Sequence, residues 1–227
     1  EVIDANYNFT PTRFTNGTAV NEAGTNSGSC KLFSFAKLQG LTLVDNRHFD
    51  TEFRYEALLK AKAAMEKAQA KTPHQASLRL SPDWNPAWNM GTVGAVALDK
   101  QGNLAAATST GGMTAKRYGR IGDAPIIGAG NFADNNSCAV SATGHGEFFI
   151  RYQVASDICA RVKYQNIPAA TAAKQVLAEL KQVGGDGGAI VVDNKGQLSW
   201  TFNTEGMYRA LKAEGGEVIS EIFASSN

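Results

Sequence analysis

Several things are scarce in this sequence, and each scarcity excludes a class of protein. No apolar run approaches the about 18 residues that mark a membrane-spanning helix, so no span is expected. Charge of one sign is not in excess: 22 basic against 21 acidic residues leave a formal net charge of +1. That balance gives no electrostatic case for binding nucleic acid or an anionic membrane. Cysteine is limited to Cys30, Cys138 and Cys159, odd in number and without a C-x-x-C pair. A disulfide framework is therefore not expected, and a reducing compartment fits best. Histidine is limited to His48, His74 and His145, with no H-E-x-x-H, so no catalytic metal site is expected. There is no Walker motif. Gly128-Ala129-Gly130-Asn131-Phe132-Ala133 matches a loose G-x-G-x-x-A, but it lacks a βαβ unit and an acid about 20 residues on. No signal peptide opens the chain, although Glu1 could itself follow a removed one. A cytoplasmic protein is expected, with periplasmic or secreted as alternatives. Sequons stand at Asn8, Asn16 and Asn135, a pattern that arises easily in an Asn- and Thr-rich chain.

What is present suits an ordinary folded domain. The 227 residues are 43% hydrophobic and 19% charged, enough to bury a core. Residues 1–29 are rich in Asn, Thr and Gly and read as irregular. Residues 30–41 read as a short helix ending near Gly40. Residues 51–71 form the clearest helix of the first half: Thr51 is a plausible cap, and Phe53, Ala57, Leu58 and Ala61 fall at helical spacing. Residues 72–91 carry three prolines and read as an exposed linker, where backbone cleavage is tolerated. Strands are expected at 93–98 and 103–108, joined by the turn 99–102, at 139–143, and at 188–193 and 198–202 across the turn 194–197. The continuous apolar stretch 93–98 implies a strand buried on both faces of a layered α/β sandwich. Helices are expected at 147–164 and at 169–182, the latter starting after Pro168.

Four clusters in the second half could carry chemistry. The first is Gly91-Thr92. A threonine hydroxyl becomes a useful nucleophile when a base is held beside it, and its nearest base is its own α-amine. Cleavage of the Gly91–Thr92 bond would free that amine, whose reference pKa of about 7.7–8.0 leaves a substantial neutral fraction near pH 7. The second cluster ends the next strand, where Thr110 could hydrogen-bond Thr92 and orient it. In the third, Arg120 offers a planar fork for a carboxylate and Asp123 a charge for an ammonium, the two ends of a free α-amino acid. In the fourth, Thr143-Gly144-His145-Gly146-Glu147, backbone N–H groups and the Thr143 hydroxyl could hold an oxyanion, worth about 2.7–4 kcal/mol per donor. Each also has a plainer reading: glycines beside strands usually mark turns, and Arg and Asp three apart are usually a solvated pair. His145 has no visible acid partner and reads as a loop residue lining or supporting the site.

Together, in this order and spacing, the clusters resemble the plant-type (type III) L-asparaginase/isoaspartyl peptidase family of N-terminal-nucleophile hydrolases. The resemblance is densest in GTVGAVALDKQGNLAAATSTGGMTAKRYGRIGDAPIIGAG, SATGHGEFFIR, GGDGGAIVVD and FNTEGMYR. It implies a single α/β domain, a four-layer αββα sandwich, made as a precursor. Cleavage at Gly91–Thr92 would divide it into an α piece, 1–91, and a β piece, 92–227. Thr92 is similar to the family's nucleophile and Thr110 to its supporting threonine. Arg120 is similar to the arginine that binds the substrate α-carboxylate, and Asp123 to the acid that binds its α-amine. Thr143 and Gly144 resemble the oxyanion hole, with Gly146 lining the amine side. The implied substrates are L-asparagine and β-aspartyl dipeptides, attacked through a covalent β-aspartyl ester. No cofactor is implied for catalysis. The family's structural sodium ion sits in an α-chain loop with no counterpart in this sequence, and the family's HGGAG-type opening strand is not present either. Either part of the α chain lies outside these residues or the α chain is short. A dimer of αβ units is implied, with no nucleic-acid or membrane partner. The alternatives are a glycosylasparaginase-like hydrolase, against which Asn89-Met90-Gly91 argues, and an inactive homologue that does not process.

Overall fold

The computed structural model describes residues 13–15, 18–20, 40, 51–71, 91–116 and 120–224. The chain divides into two compact units, one of residues 1–88 with 114–120 and one of residues 89–113 with 121–227. The helix expected at 30–41, apart from a turn at Gly40, and the linker expected at 72–91, apart from Gly91, lie outside the described residues, as do Asn8, Asn16, Cys30, His48 and His74.

In the first unit, β1 (Arg13–Thr15) and β2 (Thr18–Val20) form an antiparallel hairpin where the composition reads as irregular. Helix α1 (Glu52–Lys71) starts where Thr51 accepts the Tyr55 N–H at 2.9 Å. Among its described residues Ala61 is buried, Ala57 and Leu58 are half-buried, and Phe53 lies exposed. The apolar spacing therefore marks the inward stripe from Ala57 onward but not its first member.

The second unit is layered. Strands β3 (Thr92–Leu98) and β4 (Leu104–Thr110) make one two-stranded antiparallel sheet, with Thr92 opposite Thr110 and Leu98 opposite Leu104. Asp99 closes its turn by accepting the N–H groups of Gln101 and Asn103, at 2.9 and 2.7 Å, and the Asn103 amide at 2.8 Å. These bonds, the Asn103 side chain first, hold the Asp99 carboxyl below its usual range. Strands β5 (Asn131–Ala133), β6 (Cys138–Gly144), β7 (Gly187–Asp193) and β8 (Leu198–Phe202) make a four-stranded antiparallel sheet in that order. Asp193 holds the turn between β7 and β8 by accepting the N–H groups of Lys195 and Gln197, both at 2.9 Å. Strands β9 (Gly206–Leu211) and β10 (Ile219–Phe223) form a further hairpin. Arg209 is buried within that hairpin, its guanidinium donating to the Met207, Ile222 and Phe223 carbonyls and lying over the Trp200 and Phe202 rings.

Period-two alternation in β6 and β7 builds the stack. Cys138, Val140 and Ala142 point with Ala189 and Val191 to one face, where α3 (Val154–Gln165) and α4 (Ala169–Gln182) cover them with Ile158, Ala172, Val176, Leu177 and Leu180. Ala139 and Val192 point the other way, into Leu104, Val96, Leu98 and Ala106 of the β3–β4 hairpin. The unit is thus a β-hairpin, a sheet and a helical layer, an α/β arrangement.

Three expectations are corrected. The strand at 93–98 is not buried on both faces: Val93, Ala95 and Ala97 are exposed. Small apolar side chains in a continuous run do not reveal which face is covered. The helix expected over 147–164 is two, α2 (Gly146–Tyr152) and α3, because Gln153 turns into the left-handed region at φ 49° and donates its N–H to Ile150. Cys138 and Cys159 form a disulfide, their Cα atoms 5.3 Å apart. Sequence spacing could not show this pairing, because it arises from the stacking of α3 on β6.

Arg161 ties the helices together. Its guanidinium forks onto Asp157 of α3 and onto both Glu179 oxygens of α4, the latter at 2.7 Å. These partners, Glu179 first, raise the Arg161 pKa, and the Arg161 bond lowers that of Glu179.

Candidate functional site

Thr92 is the first residue of β3, and register sets it directly across from Thr110 at the end of β4. Both side chains point inward and are half-buried. The Thr92 hydroxyl donates to Thr110 Oγ1 at 3.1 Å, and Thr110 Oγ1 also accepts the Gly112 N–H at 2.9 Å. A turn beyond the strand therefore anchors the threonine that touches Thr92. Gly91, just before, is exposed.

Sheet stacking decides what lies nearby. Two residues along the inward face from each threonine come Gly94 and Thr108. A Cβ on Gly94 would overlap Ser141 Oγ and lie 2.9 Å from Ser141 Cβ, so only glycine allows β3 to approach β6 this closely. Thr108 and Ser141 share a 2.6 Å hydroxyl–hydroxyl bond, and Thr108 also donates to the Gly130 carbonyl at 3.0 Å. The Leu98–Leu104 end of the hairpin packs over Ala139, and Gly94 packs over Ser141. Thr92 and Thr110 therefore lie toward the Thr143–Gly144 end of β6.

At that end, alternation aims the backbone. Ala142 donates its N–H to Gly130 at 2.9 Å, and the Gly144 N–H points to the same side, one rung further on. His145 donates to Asp186 on the opposite side at 2.9 Å, in keeping with this alternation. Gly144 is buried at φ 156°; a Cβ there would collide with the Asp186 carbonyl and the Phe149 ring. Gly146, also buried, begins α2. His145 is 8% exposed, and its Nδ1 accepts the Asp186 N–H at 3.3 Å. Asp123, also 8% exposed, accepts the Ile126 and Gly130 N–H groups on its carbonyl, and Gly130 in turn meets Ala142 and Thr108. Thr92, Thr110, Asp123, Thr143, Gly144 and Gly146 thus all belong to the second unit, whereas Arg120, half-buried, belongs to the first.

The Gly128–Gly130 turn packs against a helix start. Its Gly128 and Ala129 carbonyls accept the Ser156 and Ala155 N–H groups at the start of α3, the groups a phosphate would otherwise use. Asn135 is likewise engaged, accepting the Leu104 N–H at 2.7 Å and donating to Asn103 at 3.1 Å. Among the described residues, no group of three or more His, Cys, Asp or Glu side chains could hold a metal ion, and no helix is long and apolar enough to cross a membrane.

Sequence reasoning missed the Thr108–Ser141 pair and Asn203, whose carboxamide holds the loop before β7. Asn203 did lie within a motif that carried the resemblance, FNTEGMYR. Nothing signalled Ser141, because its role depends on which strand stacks over it.

A layered α/β unit with paired threonine hydroxyls at a strand start, and a glycine-rich strand end beside them, is the class that fold and geometry define. The chain belongs to the asparaginase family, whose model matches residues 29–221. It is 50% identical over 191 residues to the "Isoaspartyl peptidase" of Salmonella typhimurium, a match covering 84% of this chain and 58% of that protein. It is 48% identical over 191 residues to the "Isoaspartyl peptidase" of Escherichia coli, covering 84% and 57%. An "Isoaspartyl peptidase/L-asparaginase" of Xenopus laevis is 38% identical over 176 residues, covering 76% and 51%. The chain thus spans less than two thirds of the length of each of these relatives.

Proposed function

We propose that this chain is part of an autoprocessing amidohydrolase that cleaves the side-chain amide of L-asparagine and the isopeptide bond of β-aspartyl dipeptides. The observation that carries the reading is the 3.1 Å bond between the Thr92 and Thr110 hydroxyls, made at the residue whose amine would be freed by cleavage after Gly91. Relatives named isoaspartyl peptidase and L-asparaginase support it.

In this reading, cleavage of the Gly91–Thr92 bond separates residues 1–91 from 92–227. The fold of this reading is a four-layer αββα sandwich. The freed Thr92 amine takes the proton from Oγ1, which attacks the substrate's side-chain carbonyl. Thr110, anchored by Gly112, orients Oγ1 and can turn its own proton toward it as that oxygen loses its hydrogen. Negative charge developing on the substrate oxygen meets the Gly144 N–H and the Thr143 hydroxyl. The C–N bond then breaks, the amine leaves with the transferred proton, and water hydrolyses the resulting β-aspartyl ester. Arg120 binds the substrate α-carboxylate, Asp123 its α-ammonium, and Gly146 lines that end. No cofactor takes part. A sodium ion enters only as the family's structural ion, and no step runs through it. The working form is a dimer of αβ units.

Intact mass spectrometry of the full-length protein tests the proposal. The expected result is two fragments, one beginning Thr-Val-Gly-Ala, together with turnover of β-aspartyl-leucine. Thr92→Ala should give one uncut, inactive chain; a cut or active variant would overturn the assignment.

A further inference from the structure

We infer that Asn203 is a positioning residue for the oxyanion end of the proposed site, acting through the glycine loop before β7. The inference rests on the hydrolase reading above and adds to it a residue that touches neither substrate nor nucleophile.

Asn203 directly follows β8, and its half-buried carboxamide satisfies three backbone groups at once. Oδ1 accepts the Gly187 N–H at 2.8 Å, while Nδ2 donates to the Gly185 carbonyl at 3.0 Å and the Leu177 carbonyl of α4 at 3.2 Å. Its own N–H donates to the Gly187 carbonyl at 3.0 Å. His145 grips the same loop from the β6 side, giving its N–H to the Asp186 carbonyl and taking the Asp186 N–H on Nδ1. The backbone of residues 185–187 is thus held from both sides, by Asn203 and by His145.

That loop feeds straight into the site. Gly187 pairs with Gly144, and Gly188 with Thr143. A Cβ on Gly144 would sit 2.9 Å from Gly187 Cα, and one on Gly187 would strike the Thr143 carbonyl. The two glycines meet backbone on backbone, and the fully buried Phe149 ring packs against both. A shift of the loop therefore passes to the two donors that would face the oxyanion. The task calls for one acceptor and two donors in a plane, which among side chains of this reach only a carboxamide supplies. Aspartate keeps the shape and the acceptor but loses both donors, and it sets a charge against two carbonyls. When protonated it regains one donor.

The test compares Asn203→Asp, Asn203→Ala and the wild-type full-length protein on β-aspartyl-leucine, with rates normalised to the fragment that begins at Thr92. At pH 8, both variants should lose ten- to hundredfold in kcat, with KM within twofold, as expected of a site loosened by about 1 Å. As pH falls toward 5.5, the ratio of Asn203→Asp to wild type should rise several-fold, while the Asn203→Ala ratio stays flat. Lys181, Asp186 and His145 border the loop in all three proteins, so taking ratios divides out their common contribution. A flat Asn203→Asp ratio, a kcat within twofold of wild type, or a loss that follows the melting temperature alone would overturn the positioning role. An inactive wild type would instead sink the hydrolase reading, and this inference with it.

Discussion

Replacing Gly94 with alanine puts a methyl group into the seam between the two sheets, two residue pairs along the ladder from the Thr92–Thr110 bond. The new Cβ would overlap Ser141 Oγ and lie 2.9 Å from Ser141 Cβ and 3.2 Å from the Ala107 carbonyl. Carbon atoms in contact prefer about 3.5–4.0 Å, so β3 must lift from β6 by about 1 Å. Overpacking of this kind costs about 1–3 kcal/mol, which in a protein of this size lowers the melting temperature by roughly 2–10 °C. A displacement of about 1 Å at a reacting group costs about a hundredfold in rate. Gly94→Ala should therefore slow both the appearance of the Thr92-started fragment and the turnover of β-aspartyl-leucine, by more than its stability loss explains. Adding Ser141→Gly removes both clashing Ser141 atoms while Thr108 keeps its bond to Gly130, so the double variant should recover most of the rate. The assays are calorimetry, a time course of intact mass and steady-state kinetics. If Gly94→Ala matches wild type in both melting and rate, or if Ser141→Gly gives no relief, the close stacking of β3 on β6 does not set the position of Thr92.

Thr110→Val keeps the shape but removes the oxygen that meets the Thr92 hydroxyl and the Gly112 N–H; kcat should fall roughly ten- to a hundredfold, and a change under twofold in steady-state assays would refute the supporting role. Glu179→Gln should cost roughly 0.2–1 kcal/mol of stability at pH 7, the range of a largely exposed pair, read as a lower melting temperature. The folded Glu179 carboxyl is depressed, so its stabilisation is present above the ordinary glutamate value of about 4.3 and is lost as pH falls through the folded value. The difference between the two melting curves should therefore close below pH 4, and a gap that persists at pH 2 would contradict this. Unreduced protein in denaturant should take up one alkyl adduct, at Cys30, and reduced protein three. Reduction should cost roughly 3 kcal/mol of stability, and three adducts without reductant would refute the Cys138–Cys159 bond.

Local chemistry made much of the fold legible. Helix 169–182 appears in the structure with the expected bounds, because Pro168 starts it and its apolar residues recur at helical spacing. Strand 198–202 is equally faithful, held in place by the turn that Asp193 closes. Single residues with nonlocal causes were harder to foresee. Gln153 breaks a helix that its side chain would permit, and nothing in the composition of 13–20 signals a hairpin.

The sequence by itself determined the residue types, their order and the family, since motifs of that length need no structure to be recognised. Periodicity and turn chemistry act over a few residues, so they too can be read along the chain. Tertiary structure alone decided which residues meet: Thr92 with Thr110 across a hairpin, Thr108 with Ser141 between sheets, Cys138 with Cys159 between sheet and helix, and Asn203 with the loop behind Gly144. These contacts depend on register and stacking, which are set by the burial of whole faces and not by any neighbour in sequence.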